Sequence, residues 1–293
     1  MKIVKISGGL GNQMLQYVYG QYISKKYKEK VYYDISWYRK KTKKNLYARN
    51  FELLNFDIDI KIVQGKKYPL KFSRLEKLIY LLKGFLLFDR NTFVPVYDPR
   101  NNLFGNLFLK FSNLLLKIFR NSYHIGNWLD LKYYRYISND IEFMLKSDML
   151  LINKKIKNKI LNTTAVSIGV RRGDYVEIGV ACDIKYYNKA INLINTKVDN
   201  PTYYIFSDDI EWCKNNILIT KKHFFVEQNK DLSFENMRLM SLCKHNIISN
   251  STYDWWGAIL NKFKHKIVIC PKLWAPDEVK IRENFIPNKW LKI

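Results

Sequence analysis

Twice along this chain, a short apolar run with strand character ends in a loop suited to an anion and then gives way to a helix. The first instance opens the sequence. Lys2–Ile6 reads as a buried strand, Gly8-Gly9-Leu10-Gly11-Asn12-Gln13 as a glycine loop, and about Asn12 to Lys28 as a helix. Met14, Leu15, Val18, Tyr22 and Ile23 fall on one stripe of that helix. Val31–Asp34 is the next strand. The second instance starts at Ala165–Val170, which runs into Arg171-Arg172-Gly173-Asp174-Tyr175. The rhythm then continues with a helix over 185–196, a strand over 202–206 ending in Ser207-Asp208-Asp209, and a helix from Glu211 to Asn216. A strand at 223–226, a helix over 233–244 and a short strand at 246–249 follow. Ser251-Thr252 caps a helix reaching Asn261, and 267–270 closes the sheet. Alternating strands and helices require parallel pairing, and a parallel sheet collects ligand-binding loops at the carboxyl ends of its strands.

The pattern predicts an α/β chain with two doubly wound domains, 1–150 and 151–293, the last residues being free to pack back on the first. A length of 293 residues suits two domains, and a 47% hydrophobic content supplies their cores. Cys182, Cys213, Cys243 and Cys270 are scattered with no C-x-x-C pair, so they read as reduced, mostly buried thiols and not as a disulfide or metal framework. The start at Met1 lacks a signal-peptide pattern, and no apolar run is long enough to span a bilayer. The expected location is the cytoplasm, including the inner face of the cytoplasmic membrane.

Fifty basic residues against 26 acidic ones give a net charge of +24, which suits a polyanionic small molecule, an anionic membrane or nucleic acid. Lysines are spread along the whole chain and no nucleic-acid-binding motif is present, so nucleic acid ranks last. A Lys-rich composition without functional meaning is the plain alternative. Residues 38–50 read as a polar loop. Residues 74–90 and 103–120 read as basic amphipathic helices, either packing helices of the first domain or a surface for a lipid-linked partner.

Four loops carry the chemistry. Arg171 and Arg172 follow a strand directly. Their planar, permanently charged forks match phosphate oxygens, although the same pair fits a surface ion pair with Asp174. Gly9 and Gly11 leave backbone N–H groups open at a helix start, without the spacing of a dinucleotide fingerprint or a P-loop. Ser207, Asp208 and Asp209 close a strand, where a carboxylate could accept from a guanine edge, hold magnesium, or merely cap a helix. Asn250, Ser251 and Thr252 lie before Trp255-Trp256-Gly257, again a phosphate-compatible start or a simple cap. The Trp pair reads as core.

The ordered set Gly8-Gly9-Leu10-Gly11-Asn12-Gln13-Met14 with Gln16-Tyr17, Arg171–Val176, Phe206–Asp209 with Trp212-Cys213, Met240-Ser241, Cys243-Lys244, Asn246–Ile248, Asn250-Ser251, Trp255–Ala258 and Ile286-Pro287 with Trp290 resembles glycosyltransferase family 11, the α-1,2-fucosyltransferases. The resemblance implies a GT-B-like fold of two Rossmann-like domains with the donor in the cleft, and inverting transfer of L-fucose from GDP-β-L-fucose to galactose O2 of a glycan. It implies no metal and no other cofactor. Arg171 would bind the pyrophosphate, with Arg172 beside it. Asp208 would read guanine, Ser251 and Thr252 would lie by the phosphates, and Asn12 and Gln13 would face the sugar or acceptor. Asp174 is the candidate base. Gly169 departs from the family's usual His, Asn236 from its usual Asp, and Asn127-Trp128-Leu129-Asp130-Leu131 from a Tyr-Phe-Gln-Ser-Glu-like run. Those departures point to another GDP-deoxysugar such as colitose, to another acceptor, or to a glycan- or membrane-binding protein with little activity.

Overall fold

A computed structural model describes residues 1–39, 49–63, 94–98, 121–227, 229, 232–274 and 284–293. The chain divides into two compact units, Met1–Met144 and Leu145–Ile293. The expected helices at 74–90 and 103–120, and most of the expected loop at 38–50, lie outside the described residues.

In the first unit, β1 (Lys2–Lys5) leads into α1 (Leu10–Tyr27) and β2 (Val31–Asp34). Strands β3 (Ile62–Val63), β4 (Val94–Tyr97) and β5 (Ser122–Ile125) complete a parallel sheet ordered β3-β2-β1-β5-β4, followed by α2 (Leu131–Ile137). The order reverses between β1 and β5, and Gln16 bridges the loops there. It accepts from Ser7 N–H at 2.9 Å and donates to the Gly126 carbonyl at 3.2 Å. Helix α1 lies close on the sheet because Gly20 has no side chain: a Cβ there would come within 2.4 Å of Tyr33 Oη. Tyr33 itself is buried and donates to the Tyr17 carbonyl. Asp34, also buried, accepts from Tyr123 Oη at 2.6 Å and Ser36 N–H at 2.8 Å, tying β2 to β5.

In the second unit, α3 (Leu151–Leu161) precedes β6 (Thr164–Val170), α4 (Gly173–Glu177), α5 (Ile184–Lys197) and β7 (Pro201–Ser207). Then come α6 (Ile210–Asn216), β8 (His223–Phe225), α7 (Ser233–Leu242), β9 (His245–Ile247), α8 (Thr252–Leu260), β10 (Val268–Cys270) and β11 (Leu291–Lys292). The strands form a parallel sheet ordered β11-β10-β9-β6-β7-β8. Alternate side chains cover both faces, as the two-residue period of a strand dictates. Val166, Ile168, Val170, Tyr203 and Ile205 meet Tyr187, Ala190, Ile191 and Ile194 of α5. Ala165, Tyr204 and Phe206 meet Leu239 and Met240 of α7. Each large side chain buried this way contributes on the order of 1.5–3 kcal/mol.

Two details differ from the sequence reading. Gly173–Glu177 is a short helix and not an open loop, its turn closed by Val180 and Ala181 N–H groups on the Tyr175 carbonyl. The sheet does not end at 267–270: β11 pairs beyond β10, and Phe285 stacks on Trp255 at 4.4 Å, so the closing residues belong to the second sheet. Asn236 accepts from Asn229 in a partly buried network with Asn153, Glu235 and Arg238 that joins α3 to α7. The four cysteines form no disulfide, Cys213, Cys243 and Cys270 are buried, and the Trp pair is fully buried core.

Candidate active site

In the second unit the strand order reverses between β6 and β9, so the loops after these two strands form the crevice where an open α/β sheet binds ligands. Arg171 leaves the end of β6. One terminal nitrogen of its guanidinium donates to Asp208, at the end of neighbouring β7, and the other to Asp174 in the first turn of α4. Tyr175 supports it from below, its ring centroid 5.3 Å from the guanidinium carbon. The Arg171 side chain is 18% exposed, so a fixed cation reaches the strand-end surface with its orientation set by two carboxylates. Asp208 is pinned as well: its other oxygen accepts from Arg172 N–H at 2.8 Å.

Arg172 turns away along the sheet. Its guanidinium lies 3.8 Å from the Trp212 ring centroid, and Nε donates to Asp209 at 3.3 Å. Asp209 caps α6 through Trp212 N–H and itself donates from its backbone to Ser207 Oγ. The helix-capping reading of the Asp pair therefore falls to Asp209, while Asp208 faces the arginines.

The β9–α8 turn supplies the other wall. Ser251 caps α8, accepting from Tyr253 N–H at 3.2 Å, and Thr252 is the first residue of that helix. Asn250 was expected at the substrate but is fully engaged by the chain. It donates to the carbonyls of Val180 and Trp274 and accepts from Cys182 Sγ, holding the turn against the segment between α4 and α5 and against Trp274. Behind the turn lies Asp254, buried with 4% exposure. It accepts from both the backbone N–H and the hydroxyl of Ser249. Burial pushes its carboxyl up to about 6, while the Ser249 hydrogen bonds and the Arg171 charge pull the other way. The sequence reading missed Asp254, whose only signal was an acid set between Tyr253 and the Trp pair of an apolar helix.

In the first unit, the glycine turn is shorter than expected. Gly8 takes the left-handed backbone at φ +81°, Gly9 is the cap of α1 without a side-chain hydrogen bond, and Gly11 and Asn12 already lie in the helix. Gln13, expected to face a ligand, is 0% exposed. Its amide donates to the carbonyls of Gly8 and Asn50 and accepts from Glu52 N–H, so it braces the turn.

The profile of Glycosyl transferase family 11 matches residues 2–293. This chain belongs to glycosyltransferase family 11. It is 32% identical to the O-antigen biosynthesis glycosyltransferase WbnK of Escherichia coli, over 92% of this chain and 93% of that protein. It is 29% identical to an alpha-1,2-colitosyltransferase of Escherichia coli, over 99% of this chain and 98% of the relative. Among solved structures, NodZ alpha-1,6-fucosyltransferase with GDP aligns at TM-score 0.52 and 11% identity, covering 88% of this chain and 91% of that one. Arabidopsis thaliana FUT1, as a mutant in complex with GDP, aligns at TM-score 0.53 and 10% identity, covering 95% and 71%. These likenesses establish the fold as GT-B-like, and family membership makes the chain a glycosyltransferase. Among the described residues, no helix is long and apolar enough to cross a membrane.

Proposed function

We propose that this family 11 chain transfers a 6-deoxyhexose, L-fucose in the first reading, from its GDP-linked donor to a hydroxyl of a glycan in surface-polysaccharide or O-antigen synthesis. Galactose O2 is the expected acceptor atom. The observation that carries the reading is Arg171, a buttressed cation at the switch point of the second sheet. The second unit then serves as the donor-binding domain and the first as the acceptor-side domain.

The mechanism is a single displacement with inversion. As the anomeric bond breaks, negative charge grows on the departing diphosphate, and a preorganised guanidinium stabilises it without reorganisation. Arg171 supplies that charge, with no divalent metal assigned to the step. Ser251 and Thr252 add a helix start on the diphosphate side. Asp174 both aligns Arg171 and is the candidate to accept the acceptor proton. Colitose is the second donor reading, supported by the full-length likeness to a colitosyltransferase. Peripheral attachment to an anionic membrane stays part of the proposal, drawn from the net charge of +24.

The test is a panel of GDP-sugars on Gal-terminated acceptors, with and without EDTA. Transfer from GDP-fucose or GDP-colitose that survives chelation is expected. Turnover that EDTA abolishes and magnesium restores would overturn the metal-free step, and binding of GDP-sugars without turnover on any acceptor would favour a glycan-binding protein.

A further inference from the structure

Gly169 and Asp254 share one space. Gly169 is the penultimate residue of β6, and a Cβ built on it would lie 2.4 Å from both Cγ and Oδ2 of Asp254 and 2.7 Å from Oδ1. The carboxyl group occupies the volume a side chain at 169 would need. Both Ser249 hydrogen bonds go to Oδ2. Oδ1 has no hydrogen-bond partner among the described residues, though the side chain is more than nine-tenths buried. Securing Ser249 requires only a neutral acceptor, and a buried carboxylate with one idle oxygen costs free energy that an amide would not.

We infer that Asp254 is a further donor-binding residue, whose Oδ1, seated in the space left by Gly169 between the ends of β6 and β9, accepts a hydrogen bond from an uncharged N–H or O–H group of the bound nucleoside. The inference rests on the GDP-sugar reading above. An uncharged partner is required because a carboxylate repels the diphosphate that Arg171 attracts. Among the described residues, the charged and titratable groups around Asp254 are Arg171 and Asp208 at the strand ends, Tyr175 on α4, and Cys182, Tyr186 and Tyr187 at and before the start of α5. Among these described groups only Arg171 is cationic, and Asp174 and Asp208 already engage it.

The test is calorimetric titration of GDP, inorganic pyrophosphate and nucleotide analogues into the parent, Asp254→Asn, Gly169→Ala, Asp254→Ala and the Gly169→Ala/Asp254→Ala pair. Asp254→Asn keeps the acceptor for Ser249 and should weaken GDP about tenfold or more at pH 7.5 while leaving pyrophosphate binding intact. As pH falls through about 6 the terminal phosphate of GDP takes up a proton and weakens binding to both proteins, so the parent should lose more GDP affinity than Asp254→Asn over that range. Gly169→Ala should weaken GDP on its own and add nothing in the Asp254→Ala background, where the methyl has room. IDP, 2′-deoxy-GDP and 3′-deoxy-GDP locate the contact, since the analogue lacking the recognised group loses its sensitivity to Asp254→Asn. Parent-like GDP binding by Asp254→Asn or Gly169→Ala, equal weakening of pyrophosphate, or undiminished sensitivity with all three analogues overturns the inference. A parent that binds no GDP overturns the function reading with it, so the two failures are told apart by the first titration.

Discussion

Replacing Arg171 with Lys separates charge from geometry. Lysine keeps the positive charge but offers one ammonium on a flexible stem, whereas the two terminal nitrogens of Arg171 point to two different carboxylates, Asp174 and Asp208. The side chains of the trio are 18%, 35% and 28% exposed, so each ion pair stabilises the fold by only about 0.2–1 kcal/mol after solvent screening. Loss of both would lower the melting temperature by about 1–8 °C, at about 2–4 °C per kcal/mol. Catalysis should suffer far more. Removing one preorganised donor from a developing anion costs roughly 10²–10³ in kcat. Steady-state transfer from the GDP-sugar, paired with thermal unfolding followed by circular dichroism, measures both quantities. A kcat within about threefold of the parent would refute the assignment, because charge alone would then suffice. So would an activity loss that simply tracks unfolding.

Other outcomes follow from the same geometry. Gly20→Ala should destabilise the first unit by about 1–3 kcal/mol in urea unfolding, because the added methyl meets a buried ring that is itself hydrogen-bonded; an unchanged midpoint would refute the close approach. Tyr123→Phe removes one of two donors to the buried Asp34 and should cost about 1–3 kcal/mol, again read from unfolding midpoints. Burial drives His124 down to about 3, so the folded state favours its neutral form. That contribution is complete above the unfolded value near 6.5 and is lost as pH falls toward 3, at up to about 1.4 kcal/mol per pH unit; His124→Gln should flatten that slope. Asp254 runs the opposite way. With its folded value raised, the carboxyl destabilises the fold as pH climbs from about 4 to about 6, so Asp254→Asn should gain on the order of 1–3 kcal/mol at pH 8 relative to pH 4. That gain, beside a loss of GDP affinity, would mark a residue kept for binding at the expense of stability.

The strands at 164–170 and 201–207 were legible because buried parallel strands read as continuous apolar runs, and α5 because its apolar stripe has the helical period. The Arg171 loop was legible as chemistry, since two guanidinium groups after a strand have few purposes. The fates of Gln13 and Asn250 were not. A buried amide that braces backbone and an exposed one that binds sugar look alike in one dimension, and only partners such as Asn50 and Trp274 distinguish them. Two-residue β11 carries no period at all, so its place beside β10 emerges only in three dimensions. The Gly169–Asp254 contact joins residues 85 positions apart and leaves no local trace.

That contact also limits how such a chain can change. While Asp254 fills the space over β6, any side chain at position 169 has to displace its carboxyl group, so substitutions there carry a cost whatever their chemistry. A shorter side chain at 254 must come first, and it leaves a void that rewards a larger residue at 169. The two sites are therefore ordered steps of one route, and engineering a different donor preference should alter position 254 before position 169.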